Sequence, residues 1–248
     1  MIEAREIVRR FDGHAVLNGV DFRIAEGEAA AIIGRSGCGK SVLLRILIGL
    51  LPADSGRVVV LGQDLGALDE RGLLEIRQQC GMLFQAAALF DSLTVEENIG
   101  FLLRRQGRCS RAEVDRRVAE ALDLVGLPGI QAKKPAELSG GMRKRVGLAR
   151  AIVHRPRIVF YDEPTTGLDP VSADSIDRLI EQVCAKLRAT TVVVTHDMRT
   201  VRRIAQRVLM LHEGRVYASG APREIFASAD PVVRRFVDGV SDPREVTL

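Results

Sequence analysis

The sequence has no apolar run long enough to cross a bilayer. A membrane-spanning helix needs about 18 or more apolar residues, and the strongest run, from Val42 to Leu51, is short and interrupted by Arg45. The first residues include acidic side chains and no apolar core segment, which argues against a signal peptide. These absences predict a chain that has neither a secretory leader nor a membrane span.

Paired cysteines and strong net charge are also missing. The four cysteines are scattered and form no CxxC pair, so we expect reduced thiols and neither a disulfide framework nor a metal site. The net charge of 248 residues is only +4, which gives no support to a nucleic-acid partner. We find no internal repeat and no low-complexity segment.

Apolar runs alternate with amphipathic helical stretches, which predicts an α/β fold. Near-continuous apolar runs are typical of strands buried on both faces of a parallel sheet. The predicted strands of this kind are Ala29–Ile33, Val58–Leu61, Ile158–Tyr161, Thr191–Val194 and Val208–Leu211. Near the N-terminus, turn residues at Asp12-Gly13 and Asn18-Gly19 predict short antiparallel strands over Ile2–Arg10, Val16–Val20 and Asp21–Ile24.

Between about Ala86 and His154 the strand pattern gives way to helical periodicity. This change predicts a helical insertion between two strands of the core. After residue 221 the sequence predicts two short helices, Arg223–Ala227 and Pro231–Val237.

A glycine-rich segment follows the first buried strand and precedes a helix. It fits G-x-x-x-x-G-K-[ST] and consists of Gly34, Arg35, Ser36, Gly37, Cys38, Gly39, Lys40 and Ser41. In such a loop consecutive backbone N–H groups face phosphate oxygens, and the helix N-terminus adds positive potential. We expect Lys40 to reach the β- and γ-phosphates and Ser41 to bind Mg²⁺. Cys38 is either a tolerated small residue or a reactive thiol whose pKa the helix N-terminus lowers.

Two adjacent carboxylates end another buried strand. Asp162 and Glu163 follow the run Ile158 to Tyr161, and neighbouring residues on a strand point in opposite directions. The pattern predicts separate roles, with Asp162 holding Mg²⁺ and Glu163 acting as the general base. His196, after the strand ending at Val194, is expected to contact the γ-phosphate, and Gln85 to sense Mg²⁺ and water.

These motifs, taken in order, resemble the nucleotide-binding subunit of ABC transporters over nearly the whole chain. The resemblance includes a second glycine-rich segment, the signature, made of Leu138, Ser139, Gly140, Gly141 and Met142. It implies that the signature binds ATP held by the opposite subunit of a homodimer, that Asp169 communicates across that dimer and that Phe11 stacks on adenine. An integral-membrane permease would follow the ATP-driven motion, with ATP and Mg²⁺ as cofactors.

The resemblance implies an α/β P-loop NTPase fold, an ABC ATPase core with an antiparallel β subdomain and an inserted helical subdomain. We expect the core and β subdomain in residues 1–85 and 156–220, the helical subdomain in 86–155 and a tail in 221–248. The apolar stretch from Ala86 to Phe90 is either helical core or the place where the permease docks. Arginine-rich helix faces are expected to be solvated, with acidic lipid headgroups as the alternative contact.

The signature departs from the common family pattern at Met142, where most members carry Gln. Three features resemble the ATPase of the Mla/MCE-associated phospholipid transporters: this departure, the segment from Gly81 to Gln85 followed by Ala86 to Phe90, and the tail from Arg235 to Gly239. The finer resemblance implies lipid transport between bacterial envelope membranes, an MCE-domain substrate-binding partner, a small STAS-type regulator and a place on the inner face of the plasma membrane. An importer for amino acids or another polar solute remains the alternative.

Overall fold

The computed structural model describes residues 1–241 and contains ten strands and nine α-helices within them. The strands are β1 (Ile2–Phe11), β2 (His14–Ile24), β3 (Ala29–Ile33), β4 (Ser55–Val60), β5 (Gln63–Asp64), β6 (Cys80–Leu83), β7 (Ile158–Asp162), β8 (Thr190–Val194), β9 (Arg207–His212) and β10 (Arg215–Gly220). The helices are α1 (Lys40–Leu47), α2 (Glu70–Arg77), α3 (Val95–Gln106), α4 (Arg111–Leu124), α5 (Gly140–Ile152), α6 (Pro170–Leu187), α7 (Met198–Ile204), α8 (Pro222–Phe226) and α9 (Pro231–Asp238).

The chain divides into two compact units, unit 1 (residues 1–76 and those from 192 onward) and unit 2 (residues 77–191). Unit 1 contains an antiparallel sheet of order β2-β1-β4-β5, in which Ile2 of β1 pairs with Ile24 on one side and Val60 on the other. Unit 1 also contains the strand order β10-β9-β3-β8, where β3 and β9 are parallel. All five residues of β3 are buried, as the apolar run predicts.

Unit 2 contains the strand order β8-β7-β6, and β8 belongs in part to each unit. Strands β6 and β7 are parallel, with Gly81 opposite Val159. The helices α3, α4 and α5 follow β6 and precede β7, which confirms the predicted helical insertion. The five residues of β7 are all buried. The expected α/β architecture is therefore present. The pairs β1–β2, β1–β4 and β4–β5 are antiparallel, whereas the pairs β3–β9 and β6–β7 are parallel.

One predicted hairpin is wrong. The Asp12-Gly13 turn is present and joins β1 to β2, with positive φ at both residues (49° and 82°), as a two-residue hairpin requires. The second turn, at Asn18-Gly19, is absent because β2 is continuous. The register with β1 passes from Val20 to Asn18, and Gly19, at φ 78°, is the extra residue of a β-bulge.

The sequence pattern also placed Val58–Leu61 among the strands of a buried parallel sheet, whereas β4 belongs to the antiparallel sheet and its first three residues are exposed. The pattern missed the strands β5, β6 and β10. β5 has two residues and β6 has four, too few to show a clear period. No residue of β10 is buried, so it lacks the apolar run by which the other core strands are recognised. Within residues 1–241, no helix combines the length and the apolarity that a membrane span requires. The tail predicted from residue 221 begins with α8 and α9, and its last part, 242–248, lies outside the described residues.

Asn98 ties the turn before α3 to the helix. Its side chain is fully buried, accepts a hydrogen bond from the Phe90 N–H and donates to the carbonyl oxygens of Phe90, Leu93 and Thr94 at 3.0–3.2 Å. The amide thus bonds to four backbone groups, of which the Phe90 and Thr94 carbonyls also accept from the backbone N–H groups of Leu93 and Asn98. Since a buried unpaired polar group is costly, this side chain fixes the path of residues 90–94.

We expect Asn98→Leu to lower the free energy of unfolding by about 2–4 kcal/mol, because it removes the four hydrogen bonds of a buried amide. Equilibrium denaturation in urea measures the change. Asn18→Leu, at a half-buried position of β2, serves as the control. A loss for Asn98→Leu no larger than that of the control would show that these bonds do not stabilise the turn.

Candidate functional site

The phosphate loop lies between β3 and α1 in unit 1. Its first glycine, Gly34, has φ 148°, and a Cβ there would run into the backbone of Leu211 and the sulfur of Cys38. Only glycine fits at this position. Gly39, with φ 100°, is the N-cap of α1, while Arg35 and its two successors are exposed. Exposed backbone leading into a helix N-terminus is the geometry that anion binding requires.

Lys40 is buried and lies across this loop. Its Nζ donates to the carbonyl oxygens of Gly34 at 2.7 Å and Arg35 at 3.0 Å. Ser41 follows in the first turn of α1 and is half-buried. The ammonium group and the hydroxyl are therefore both held at the end of the loop where the helix begins.

Of the two alternatives for Cys38, the structure favours the tolerated small residue over the reactive thiol with a lowered pKa. Burial raises the pKa of Cys38, and the positive charge of Lys40 opposes this only in part. The thiol sulfur also lies next to Gly34, where it would contact a side chain at that position. Sequence proximity to a helix N-terminus did not reveal how far the surrounding residues remove this thiol from water.

Two more residues of the predicted site belong to unit 1. Phe11 is the last residue of β1 and is exposed, and the Arg9 guanidinium lies 4.9 Å from the centre of its ring. His196 is exposed in the short connection between β8 and α7, directly before Asp197, the N-cap of α7. Both residues thus follow the ends of strands, and Phe11 offers an aromatic face to solvent.

The acid pair is placed at the end of β7 in unit 2. Asp162 is the last residue of the strand and is 9% exposed, whereas Glu163 is half-buried and follows the strand. Glu163 adopts φ 47°, a left-handed conformation that costs a non-glycine residue about 1–2 kcal/mol. The Thr166 hydroxyl donates to its carboxylate at 3.2 Å. Backbone strain of this kind is typical of functional positions.

The signature segment forms the N-terminus of α5. Ser139 is the N-cap, and its hydroxyl accepts a hydrogen bond from the Met142 N–H at 3.2 Å. No atom lies closer than 4.0 Å to a Cβ placed on Gly140 or Gly141. The Leu138 carbonyl accepts from Arg143 at 2.6 Å. The first turn of α5 therefore carries no side chain at Gly140 or Gly141 and has room around both residues, which suits an anion site at a helix N-terminus.

Asp169 is an N-cap as well. Its Oδ1 accepts hydrogen bonds from the backbone N–H groups of Val171 and Ser172, both at 3.0 Å, at the start of α6. Hydrogen bonds from Ser172 and Val171 lower the pKa of the Asp169 carboxyl. Besides the role across a dimer that the family resemblance implies, Asp169 therefore caps the first turn of α6.

Lys144 was missed by the sequence analysis. It is 5% exposed on α5, and its Nζ donates to the backbone carbonyls of Gln85 and Glu163, the latter at 3.4 Å. Burial lowers the pKa of Lys144, while the charges of Asp162 and Glu163 raise it. Gln85 itself is exposed, so its side chain faces solvent while its backbone is held. A lysine among the apolar residues of a buried helix face was the available signal.

The profile of the ABC transporter family matches residues 17–166 of the chain. The chloroplastic protein TRIGALACTOSYLDIACYLGLYCEROL 3 of Arabidopsis thaliana is 39% identical over 98% of the chain and 74% of its own length. The methionine import ATP-binding protein MetN of Caulobacter vibrioides is 43% identical over 91% of the chain and 68% of its own length.

A solved structure has the same fold. It is a dimeric post-hydrolysis state of the ATP-binding cassette MJ0796 bound to ADP and Pi, with a TM-score of 0.82, 32% identity and coverage of 90% of this chain and 99% of that one. This match confirms the predicted fold class. The chain therefore belongs to the ABC transporter family and is an ATP-binding, ATP-hydrolysing subunit of it.

Proposed function

We propose that this ATPase powers the transport of a lipid of the phospholipid class across or between bacterial envelope membranes. The observation that carries the proposal is the 39% identity, over 98% of the chain, to a protein named for trigalactosyldiacylglycerol, a glycerolipid. Met142 in the signature, the mark that resembles the Mla/MCE-associated transporters, points in the same direction. The reaction is ATP hydrolysis coupled to transport.

A second function is import of an amino acid or another polar solute. It is favoured by the 43% identity to a methionine import ATP-binding protein, which covers 91% of the chain. The two functions use the same ATPase reaction and differ in the membrane partners.

ATP binding is assigned to the phosphate loop and Phe11. The loop amides and Lys40 would hold the phosphates, since Lys40 already lies over the loop and needs only to exchange its carbonyl acceptors for phosphate oxygens. The exposed ring of Phe11 would stack on adenine. The loop residues in this assignment are Gly34, Arg35, Ser36, Gly37, Cys38, Gly39, Lys40 and Ser41.

Hydrolysis is assigned to Glu163 as the general base, with His196 contacting the γ-phosphate and Gln85 orienting water. Oxygen ligands suit Mg²⁺, and the Ser41 hydroxyl, the Asp162 carboxylate and the Gln85 amide are of that kind. Asp162 is a buried carboxylate at a strand end, which favours a cation ligand over a solvated surface charge. Bound Mg²⁺ would neutralise charge on the phosphates.

We propose that two copies of the chain close over two ATP molecules. The open amides at Ser139, Gly140 and Gly141 would bind the γ-phosphate held by the other copy, flanked by Leu138 and Met142. Asp169 would contact the dimer partner through the loop that it caps. The dimeric state of the solved relative supports this assembly. We also propose that residues 1–85 and 156–220 form the ATP-binding core with the β subdomain, residues 86–155 the helical subdomain and residues 221–248 the tail.

The membrane partner is proposed to be an integral-membrane permease, which places the chain on the cytoplasmic face of the inner membrane. Phe84, Phe90 and Phe101 of unit 2 are exposed, and the rings of Phe90 and Phe101 are 5.0 Å apart. The exposed ring pair, together with the exposed Phe84 directly before Gln85 in the chain, suits a docking surface for an apolar helix. An MCE-domain protein and a small STAS-type regulator complete the proposed assembly, and no nucleic acid takes part.

We expect Glu163→Gln to slow ATP hydrolysis by about 10²- to 10⁴-fold, because the amide cannot accept the proton of the attacking water. ATP should still bind and should trap a dimer. Steady-state turnover and nucleotide binding together measure this, with Glu120→Gln on the exposed face of α4 as the control. Turnover of Glu163→Gln at the wild-type rate would exclude Glu163 as the base.

Ser139→Arg should leave ATP binding to the separated chain intact and abolish ATP-driven dimerisation. The large cation would fill the open space in front of the α5 amides, where the second phosphate contact is expected. Light scattering of the Glu163→Gln and the Glu163→Gln/Ser139→Arg proteins with ATP measures the dimer. A dimer that persists in the double variant would contradict the two-sided site.

Purification of the chain from its native membranes, followed by mass spectrometry of proteins and lipids, tests the cargo. Lipid transport predicts a polytopic permease, an MCE-domain protein and bound phospholipid. A permease recovered with a solute-binding protein and without lipid would instead support import of a polar solute.

A further inference from the structure

Three residues around the proposed hydrolytic centre have strained backbones. Ala87 and Ala88, two and three positions after Gln85, have φ of 61° and 48°, and Glu163 has φ of 47°. Left-handed backbone is unfavourable for residues with a Cβ and persists only where the surroundings hold it. Contacts with other groups must therefore hold these three residues in place.

Two cations of one helix bind the carbonyl groups of all three. On α5, Arg150 donates to the carbonyl oxygens of Ala87 and Ala88, both at 2.7 Å, and Lys144 donates to that of Glu163 at 3.4 Å. Lys144 also donates to the carbonyl of Gln85. Lys144 and Arg150 thus bind both ends of residues 85–88, and Lys144 links that segment to the acid pair.

The residue midway between the two cations allows the close approach. Gly147 lies three positions from each, along one side of α5. A Cβ at Gly147 would lie 2.9 Å from Leu83 Cδ1 and 3.2 Å from the Ala87 side chain. A larger residue there would push the helix away from residues 85–88 and lengthen the hydrogen bonds of Lys144 and Arg150.

These contacts are unusual for solvated surface cations. Lys144 is 5% exposed, and burial lowers the pKa of both Lys144 and Arg150. A buried charge is unfavourable unless its hydrogen-bonding partners compensate it. Here the partners are backbone carbonyls, whose positions the cations fix in return.

We propose that Lys144 and Arg150 are positioning residues for ATP hydrolysis, which hold residues 85–88 and the Glu163 backbone against the signature helix. Gln85 and the signature then belong to one rigid element, since α5 begins at the signature and carries both cations. A displacement of Gln85 would therefore move α5, and with it Ser139 at the start of that helix. The inference rests on the proposed roles of Gln85 and Glu163.

Lys144→Met removes the charge and the donors but keeps the length of the side chain. We expect kcat to fall about 10- to 100-fold, the size of effect that small misplacement of reacting groups produces. The KM for ATP should stay within about twofold, since the phosphate loop is unchanged. Lys144→Arg, which retains a cationic donor, should recover most of the lost activity.

The measurement uses the full chain together with the proteins that co-purify with it. It compares kcat, KM and the midpoint temperature of thermal unfolding. Arg117→Met is the matched control, because Arg117 is a partly buried cation of α4 in the same unit whose partner is Glu113. Arg117→Met should leave kcat unchanged. If Lys144→Met does not fold, Arg150→Met tests the other half of the contact and should show the same fall in kcat at constant KM.

Two results would overturn the inference: a kcat for Lys144→Met within about twofold of wild type, or Lys144→Arg as impaired as Lys144→Met. Glu163→Gln, measured alongside, separates this from failure of the proposed function. If Glu163→Gln is inactive while Lys144→Met turns over normally, only the positioning role is wrong. If Glu163→Gln is fully active, the assignment of Glu163 is wrong and the inference falls with it.

Discussion

The chemistry of this protein depends on backbone that departs from regular conformation at the ends of buried strands. Gly34 follows β3 and Glu163 follows β7, and both residues have positive φ. The two strands are completely buried, so the chain enters each turn from a fixed position. Rigid strands can support the strained backbone of Glu163 because the strain is small compared with the burial of nine apolar or largely apolar strand residues.

In the proposed mechanism, backbone N–H groups contribute more than side chains to anion recognition in both units. The phosphate loop leads into α1, and the signature leads into α5, each with small residues that leave the amides accessible. The fold fixes the direction of a backbone amide, so binding an anion to it costs no side-chain conformational entropy. This suits a site that must bind and release ATP repeatedly. Lys40 and Lys144 add positive charge in each unit, both as buried ammonium groups bonded to backbone carbonyls.

The chain is similar both to a protein named for trigalactosyldiacylglycerol and to a methionine import ATP-binding protein. Both relatives match more than nine tenths of the chain, and the matched region includes the strand ends and helix N-termini of the candidate site. Their names refer to different molecules, so the matched region does not by itself indicate a cargo. We propose that the exposed rings of Phe84, Phe90 and Phe101 and the residue at position 142 adapt this chain to a particular partner.

The sequence by itself determined the α/β class, the phosphate loop, the acid pair and the signature, because each is a run of consecutive residues whose period and glycine content define local structure. The tertiary structure decided what depends on residues far apart in the chain. It merged two predicted strands into β2 through a bulge at Gly19, and it raised the pKa of Cys38 by burial. It also brought Lys144 and Arg150 to carbonyls about sixty positions earlier. Burial and long-range hydrogen bonding have no local signature, and this is why only the folded chain reveals them.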